Sequence, residues 1–124
     1  MSNREGFISG ALAGALVATL IRPKAQATEI KSNKLVINQQ TLNPNATATL
    51  LSEKSFKFAV LLIHGNGDQQ VQLTVVEGSN RYMVNGNEQA IGLIANQTLS
   101  ITATNTDATA THLTPTIEII YLEW

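Results

Sequence analysis

The feature that most constrains the fold is a spacing of two between apolar residues, which begins near Lys34 and continues to the C-terminus. Val71, Leu73 and Val75 alternate with polar neighbours, as do Leu99, Ile101 and Ala103. Such alternation is typical of strands with one face buried and one face in water. Clusters of Asn, Gly, Pro and Asp separate the runs. We predict seven or eight strands, near residues 34–38, 46–52, 56–64, 69–77, 80–85, 89–94, 97–104 and 115–123.

No helical pattern separates these runs, so parallel strands joined by crossover helices are not expected. The fold class predicted for residues 28–124 is all-β, an antiparallel and jelly-roll-like β-sandwich. The run 56–64 becomes apolar on both faces and is predicted to be a central strand. The segment 65–68, Gly-Asn-Gly-Asp, predicts a tight hairpin between the third and fourth strands, and Asn85-Gly86 predicts a second turn.

A different pattern precedes this domain and predicts one helix over residues 3–21, within an N-terminal unit of residues 1–27. Residues 7–21 contain no charge and no proline, and Pro23 follows where a helix would end. Small and bulky residues form two stripes at four-residue spacing, about 200° apart around the helix. The small stripe, predicted to pack against another helix, is Gly6, Gly10, Gly14 and Ala18, and the apolar face is Ile8, Leu12, Leu16 and Leu20.

Three interpretations of this N-terminal segment compete. Ala25-Gln26-Ala27 looks like a signal-peptidase site, but Glu5 neutralises Arg4, and basic residues stand on the wrong side of the apolar run. A helix over the 16 uncharged residues 6–21 spans about 24 Å, short of the ~30 Å hydrocarbon core, so a membrane anchor would be thin or partial. The third interpretation is a helix buried against protein. Membrane contact through residues 7–21 and burial against protein stay equally open.

Composition narrows the classes of partner. Only 14% of residues are charged and 44% are hydrophobic, so Thr, Asn, Gln and Ser must cover much of the surface. Beyond residue 34 the basic residues are only Lys54, Lys57 and Arg81, too few for a phosphate-binding surface, and nucleic acid is not an expected partner. Cysteine is absent, which excludes disulfides and thiol chemistry.

The sequence predicts no enzyme. His64 and His112 are the two histidines, and neither lies in a recognisable metal-binding or nucleophile motif, so no catalytic, cofactor or metal site is predicted. The Thr-rich stretch 102–116 is predicted to be a polar loop, either simply solvated or an interaction surface. Tyr121, on the last predicted strand, and Trp124, just after it, are possible interface residues.

Two resemblances bear on function. Gly6-Phe7, the Gly/Ala-rich run 8–21 and Arg22-Pro23-Lys24 resemble the N-terminal segment of YtxH-like membrane-associated proteins. The order of turns and strands in residues 34–124 resembles small self-assembling jelly-roll subunits of virions and bacterial surface appendages, although the cross-linking cysteines of many spore-appendage subunits are missing. The resemblance implies a non-enzymatic structural subunit that assembles with copies of itself and other structural subunits.

Three functions follow from these features. The favoured expectation is a virion structural protein, in the capsid, a spike or the tail, with a virion or cell-surface location. The alternatives are a subunit of a bacterial surface-appendage filament and a membrane-anchored module that binds a glycan or receptor. In the last case the loops around Asn66, Asn85 and Thr106 would hold the ligand.

Overall fold

A computed structural model of the chain describes residues 31–123, and all regular structure in this part is β. The strands are β1 (Lys31–Ile37), β2 (Thr41–Leu42), β3 (Thr47–Ile63), β4 (Val71–Glu77), β5 (Asn80–Asn85), β6 (Ala90–Asn105), β7 (His112–Leu113) and β8 (Ile117–Glu123). Six of them form one antiparallel sheet in the order β1-β8-β3-β6-β4-β5, while β2 and β7 form a separate pair. The all-β antiparallel part of the predicted fold class is confirmed; the more specific jelly-roll-like sandwich stays a prediction.

The two long strands β3 and β6 pair along most of their length and belong to both halves of the sheet. Residues 58–63 of β3 pair with 90–95 of β6 and with β8, whereas residues 47–56 pair with 97–104 of β6, which also pairs with β4. We call the part with β1 and β8 the first half-sheet and the part with β4 and β5 the second half-sheet. The main core draws on both, because Leu61, Ile63 and Ile119 join Leu73, Val75 and Ile101 in one buried cluster.

The sequence pattern predicts a break within each of the two long strands, β3 and β6. Runs 46–52 and 56–64 are both parts of β3, and runs 89–94 and 97–104 are both parts of β6, so these predicted breaks are wrong. Register shifts between Thr49 and Leu51 and between Leu51 and Lys54 interrupt the alternation without ending the strand. Asn96 adds a left-handed residue (φ 53°) in β6. Bulges of this kind change which face a side chain occupies, which looks like a strand break in a sequence.

The predicted hairpin at residues 65–68 is also wrong. These residues join β3 to β4, which do not pair with each other; the segment crosses from the first half-sheet to the second. The two-residue hairpin is instead at Gly78-Ser79, where Glu77 pairs with Asn80 and Gly78 adopts φ 58°. Two other predictions are confirmed: β3 is central, between β8 and β6, and the alternating residues of β4 and β6 are buried. The turn predicted at Asn85-Gly86 follows β5.

The connections gather at one end of the domain. The segments between strands, apart from the Gly78-Ser79 hairpin, lie at what we call the loop end: residues 38–40, 43–46, 64–70, 86–89, 106–111 and 114–116. The opposite end, the bend end, carries the register shifts of β3, the Gly78-Ser79 hairpin and the pair formed by Lys31 and Glu123. Both ends of the described chain therefore lie at the bend end.

The predicted N-terminal helix, its two stripes and Trp124 lie outside the described residues. Within residues 31–123 there is no helix long and apolar enough to cross a membrane.

Candidate functional site

Two glycines allow the loops of the loop end to lie close together. A Cβ atom on Gly67 would stand 2.5 Å from the backbone nitrogen of Pro115, and one on Gly86 would stand 2.5 Å from the carbonyl oxygen of Asp68. Real Cβ atoms do not approach backbone atoms so closely, so only glycine fits these two contacts. The Gly67 N–H then donates to the Gly86 carbonyl at 3.0 Å, and the Asp68 N–H donates to the Leu113 carbonyl at 2.9 Å.

His112 lies between two carboxylates supplied by different loops. Its Nδ1 is 3.0 Å from Asp68 Oδ2, and its Nε2 is 2.9 Å from Asp107 Oδ2. Asp68 Oδ2 also accepts the Leu113 N–H at 2.9 Å. Asp107 Oδ1 accepts both the N–H and the hydroxyl of Thr109, each at 2.9 Å. With its side chain only 21% exposed, His112 links the segment after β3 to the segment after β6.

The electrostatics of this cluster favour a protonated ring between two ionised carboxylates. Hydrogen bonds to Asp107 and Asp68 raise the pKa of His112. The bond from His112, followed by those from Thr109, lowers the pKa of Asp107 far below its usual range. The Leu113 N–H and then His112 lower the pKa of Asp68. Since both ring nitrogens are engaged as donors in this state, His112 holds the loops together rather than offering a free base.

Asn105, at the end of β6, stabilises the loops around His112 through the hydrogen bonds of its side-chain amide. Its side chain is fully buried, and its Nδ2 group donates to the carbonyls of Leu42 (3.1 Å), Asn43 (3.2 Å) and Ala110 (2.8 Å). Its Oδ1 accepts the Asp107 N–H at 2.9 Å, which orients the carboxylate that binds His112. One amide therefore satisfies three carbonyls and one N–H from two stretches of the chain, residues 42–43 and residues 107–110. No buried side-chain nitrogen or oxygen in the described part of the chain lacks a partner.

A second polar group lies where β1, β8 and the end of β3 meet. Glu118 is 3.0 Å from Lys34 Nζ through one oxygen and 2.8 Å from His64 Nε2 through the other. The bond from Lys34, followed by that from His64, lowers the pKa of Glu118. Nearby, Asn66 binds Thr116 through both atoms of its amide, and its carbonyl accepts a bond from Gln39. The polar side chains of this second group are thus hydrogen-bonded or ion-paired within the fold.

The structure brings together the three loops named for ligand binding in the binding-module hypothesis. Asn66, Asn85 and Thr106 belong to segments that all lie at the loop end, and Thr106 is tied to Gln70 through both its N–H and its hydroxyl. Of the predicted polar stretch 102–116, residues 102–105 belong to β6 and residues 112–113 form β7. Within residues 31–123, no group of three or more His, Asp or Glu side chains is arranged to hold a metal ion.

Tyr121 lies at the bend end. Its ring packs edge-on against Phe56, with ring centroids 5.4 Å apart and an interplanar angle of 61°. Both rings line an open groove of about 570 Å³ together with Lys31, Lys54, Lys57 and Glu123. Part of the Tyr121 ring is therefore buried against Phe56 within the fold. The role of Tyr121 at an interface stays a prediction.

Sequence reasoning missed Asn105 and the pairing of Asp68 and Asp107 with His112. The carboxylates lie 44 and 5 residues from the histidine, so no local spacing links all three. A signal was present in Asn105-Thr106-Asp107-Ala108-Thr109, where each acidic or amide residue is followed two positions later by an N–H it can bind, as in an Asx turn.

The chain matches no protein-family model, no curated protein and no solved structure.

Replacing Asn105 with alanine is expected to lower the free energy of unfolding by about 3 kcal/mol, because one buried and two partly buried carbonyls lose their donor and a buried one costs roughly 1–3 kcal/mol. Urea unfolding followed by circular dichroism measures this change. Asn87→Ala, at an exposed position of the loop end, is the matched control and should stay within about 0.5 kcal/mol of wild type. Equal effects of the two substitutions would contradict the role given to Asn105.

The His112 cluster predicts a stability that falls at alkaline pH. A folded pKa above the usual 6.5 gives stabilisation that is complete below about pH 6.5 and is lost as pH rises through the raised value. The two carboxylates act oppositely, because their lowered pKa values give stabilisation that is lost as pH falls below about 4. Urea midpoints of wild type should therefore be higher at pH 5.5 than at pH 8.5.

The variant His112→Gln should remove most of this difference. His64→Gln is the matched control, because it changes the other histidine at the same end of the domain and leaves the two carboxylates around His112 in place. A pH dependence that disappears in His64→Gln and persists in His112→Gln would show that the effect does not come from His112.

Proposed function

We propose that this chain is a non-enzymatic structural subunit that self-assembles, with a virion structural protein as the favoured case and a surface-appendage subunit as the alternative within the same class. In this proposal the N-terminal segment packs into neighbouring subunits or lipid, and the β domain forms lateral contacts. The observation that carries the proposal is the position of both ends of the described chain at the bend end, opposite the loops.

This polarity follows from the register. Lys31 pairs with Glu123 at the bend end, while Ile37 pairs with Ile117 next to the loops. The N-terminal segment therefore joins the domain at the bend end. A subunit held at that end presents the opposite end outward, which is the arrangement expected of a domain displayed by an assembly.

The outer face of the second half-sheet is suited to lateral packing. Paired residues of antiparallel strands share a face, and here the rows consist mainly of short uncharged side chains. Thr74 pairs with Thr102, and the hydroxyls of Thr47 and Thr104 lie 2.9 Å apart. A surface with few charges can be buried against another subunit at low desolvation cost. We call this the Thr-rich outer face. On β3, β4 and β6 its residues are Thr47, Thr49, Gln72, Thr74, Val76, Ser100, Thr102 and Thr104, and the edge strand β5 adds Arg81, Met83 and Asn85.

The jelly-roll-like sandwich is part of the same proposal. The long β3–β6 ribbon bends where the register shifts occur, and its two halves would then form the two layers around the shared core. A compact sandwich of this kind is a common building block of assemblies.

The loop end supports a structural role rather than an enzymatic one. His112, Asp68 and Asp107 bond to each other, and Asn105 bonds to loop carbonyls. These polar groups have partners within the fold, so their arrangement is explained by loop stability.

The double substitution Gly10→Leu with Gly14→Leu tests the proposal, because it fills the small stripe that is expected to pack against another helix. We expect full-length wild type to form large species in buffer without detergent and the double variant to become monomeric, with an unchanged circular dichroism spectrum of the β domain. Light scattering measures the size, and repeating it in mild detergent separates a protein partner from lipid.

The matched control is Ala11→Leu with Ala15→Leu, which adds leucines at the same spacing on a neighbouring part of the helix surface. This control should assemble as wild type does. Normal assembly of the Gly10→Leu, Gly14→Leu variant would remove the proposed role of the stripe, and a wild type that is monomeric in buffer would count against self-assembly itself.

A second candidate, from another class, is a membrane-anchored module that binds a glycan or receptor. It is favoured by the closeness of the loops around Asn66, Asn85 and Thr106 at the end of the domain opposite Lys31 and Glu123. This candidate predicts monomers in detergent and saturable binding of a glycan on an array, weakened by Asn66→Ala. Assembly without detergent and no saturable ligand would favour the structural subunit.

A further inference from the structure

The outer face of the first half-sheet is apolar, in contrast to the Thr-rich outer face. Residues paired across the strands place Val36, Leu62 and Ile91 in one row with Glu118, and Ile120, Val60 and Leu93 in the next row with Lys34. These side chains point away from the main core, because their strand neighbours Leu61, Ile94 and Ile119 belong to that core. We call the six apolar residues the apolar outer face.

Four of the six residues form a hydrophobic cluster that is separate from the main core. Val60 is 1% exposed and Ile91 is 6% exposed, and the partly buried side chains packed against them are Leu62 and Leu93. Among the described residues, no strand other than β3 and β6 contributes to this cluster. Toward the edge strand β1, Val36 is 44% exposed. A sheet face of this composition is typical of one that another element covers.

The charges on this face are already paired. Glu118 lies between Val36 and Leu62 in its row and binds Lys34 on one side and His64 on the other. An apolar element can therefore cover the face without isolating a charge.

The chain itself supplies such an element. Residues 8–21 are uncharged and mainly apolar, and they join the domain through residues 22–30, a linker that can extend to about 30 Å. It enters at Lys31 in β1, the edge strand of the first half-sheet. A helix over residues 8–21 would be about 21 Å long, close to the roughly 20 Å of a six-residue strand segment such as 58–63.

We propose that the apolar outer face is the docking site of residues 8–20 of the same chain, which contact it through Ile8, Leu12, Leu16 and Leu20. The small stripe, on the other side of the helix, then faces outward and is available to a second copy. The inference deepens the proposed function, because it names what the bulky stripe contacts and leaves the glycines for assembly.

Cysteine cross-linking of the full-length chain tests this docking, since the protein has no cysteine of its own. The test variant combines Leu16→Cys with Leu93→Cys. The matched control combines Gly14→Cys with Leu93→Cys and places the first thiol on the opposite stripe. A disulfide needs Cα atoms within about 7 Å, so mild oxidation should form an intramolecular bond in the test variant with a several-fold higher yield than in the control.

Non-reducing electrophoresis and intact mass distinguish the outcomes. An intramolecular disulfide confined to the test variant supports the proposal. An intermolecular disulfide would show that a second copy covers the face, and equal or negligible yields in both variants would show that this segment does not dock there; each overturns the proposal. A second pair, Leu12→Cys with Leu62→Cys, gives an independent test if the first variant does not fold.

The same samples separate this inference from the proposed function. Light scattering reports assembly whether or not the disulfide forms. A monomer with the intramolecular disulfide would support the docking and contradict self-assembly. Large species without any disulfide would support self-assembly and contradict the docking.

Discussion

The fold depends on the pairing of β3 with β6. Their register runs from Thr47 opposite Thr104 to Ile63 opposite Ala90, and every other strand of the six-stranded sheet attaches to this ribbon or to a strand that does. β8 adds to the first half-sheet and β4 to the second, so the main core forms only when one ribbon serves both. The register shifts near Leu51 are therefore needed for this fold, because they let one pair of strands contribute to two half-sheets.

Hydrogen bonds at the loop end hold together the segments that connect the strands. Asn105, the last residue of β6, binds the segment after β2 and the segment after β6, and its acceptor atom orients Asp107 toward His112. Asp68 joins the segment after β3 to the same histidine. Buried amides and paired charges cost free energy unless each partner is present, so this network favours one arrangement of the loops over others. Such rigidity would suit the proposed structural subunit, whose copies must share one shape.

The sequence was informative where one physical rule applies to neighbouring residues. Alternation predicts the buried residues of β4, and a run that is apolar on both faces predicts the central position of β3, because both patterns depend on local burial. The sequence patterns were misleading where contacts between residues far apart in the chain determine the structure. The register shifts in β3 give the same sequence pattern as strand ends, and residues 65–68 have the composition of a hairpin turn although β3 and β4 do not pair. The His112 cluster was missed because its members meet only after the halves come together. The N-terminal stripes remain predictions.

The pairing of β1 with β8 has a consequence for synthesis. β1 is the first described strand and β8 the last, and residues Lys31 to Ile37 find their partners only when Ile117 to Glu123 have been made. During translation the apolar N-terminal segment emerges well before β8, which supplies Ile120 to the face opposite the core. The sheet is complete only after residues 117–123 have been synthesised, and until then the face proposed to hold residues 8–20 lacks Ile120, so a chaperone or a membrane can capture that segment first.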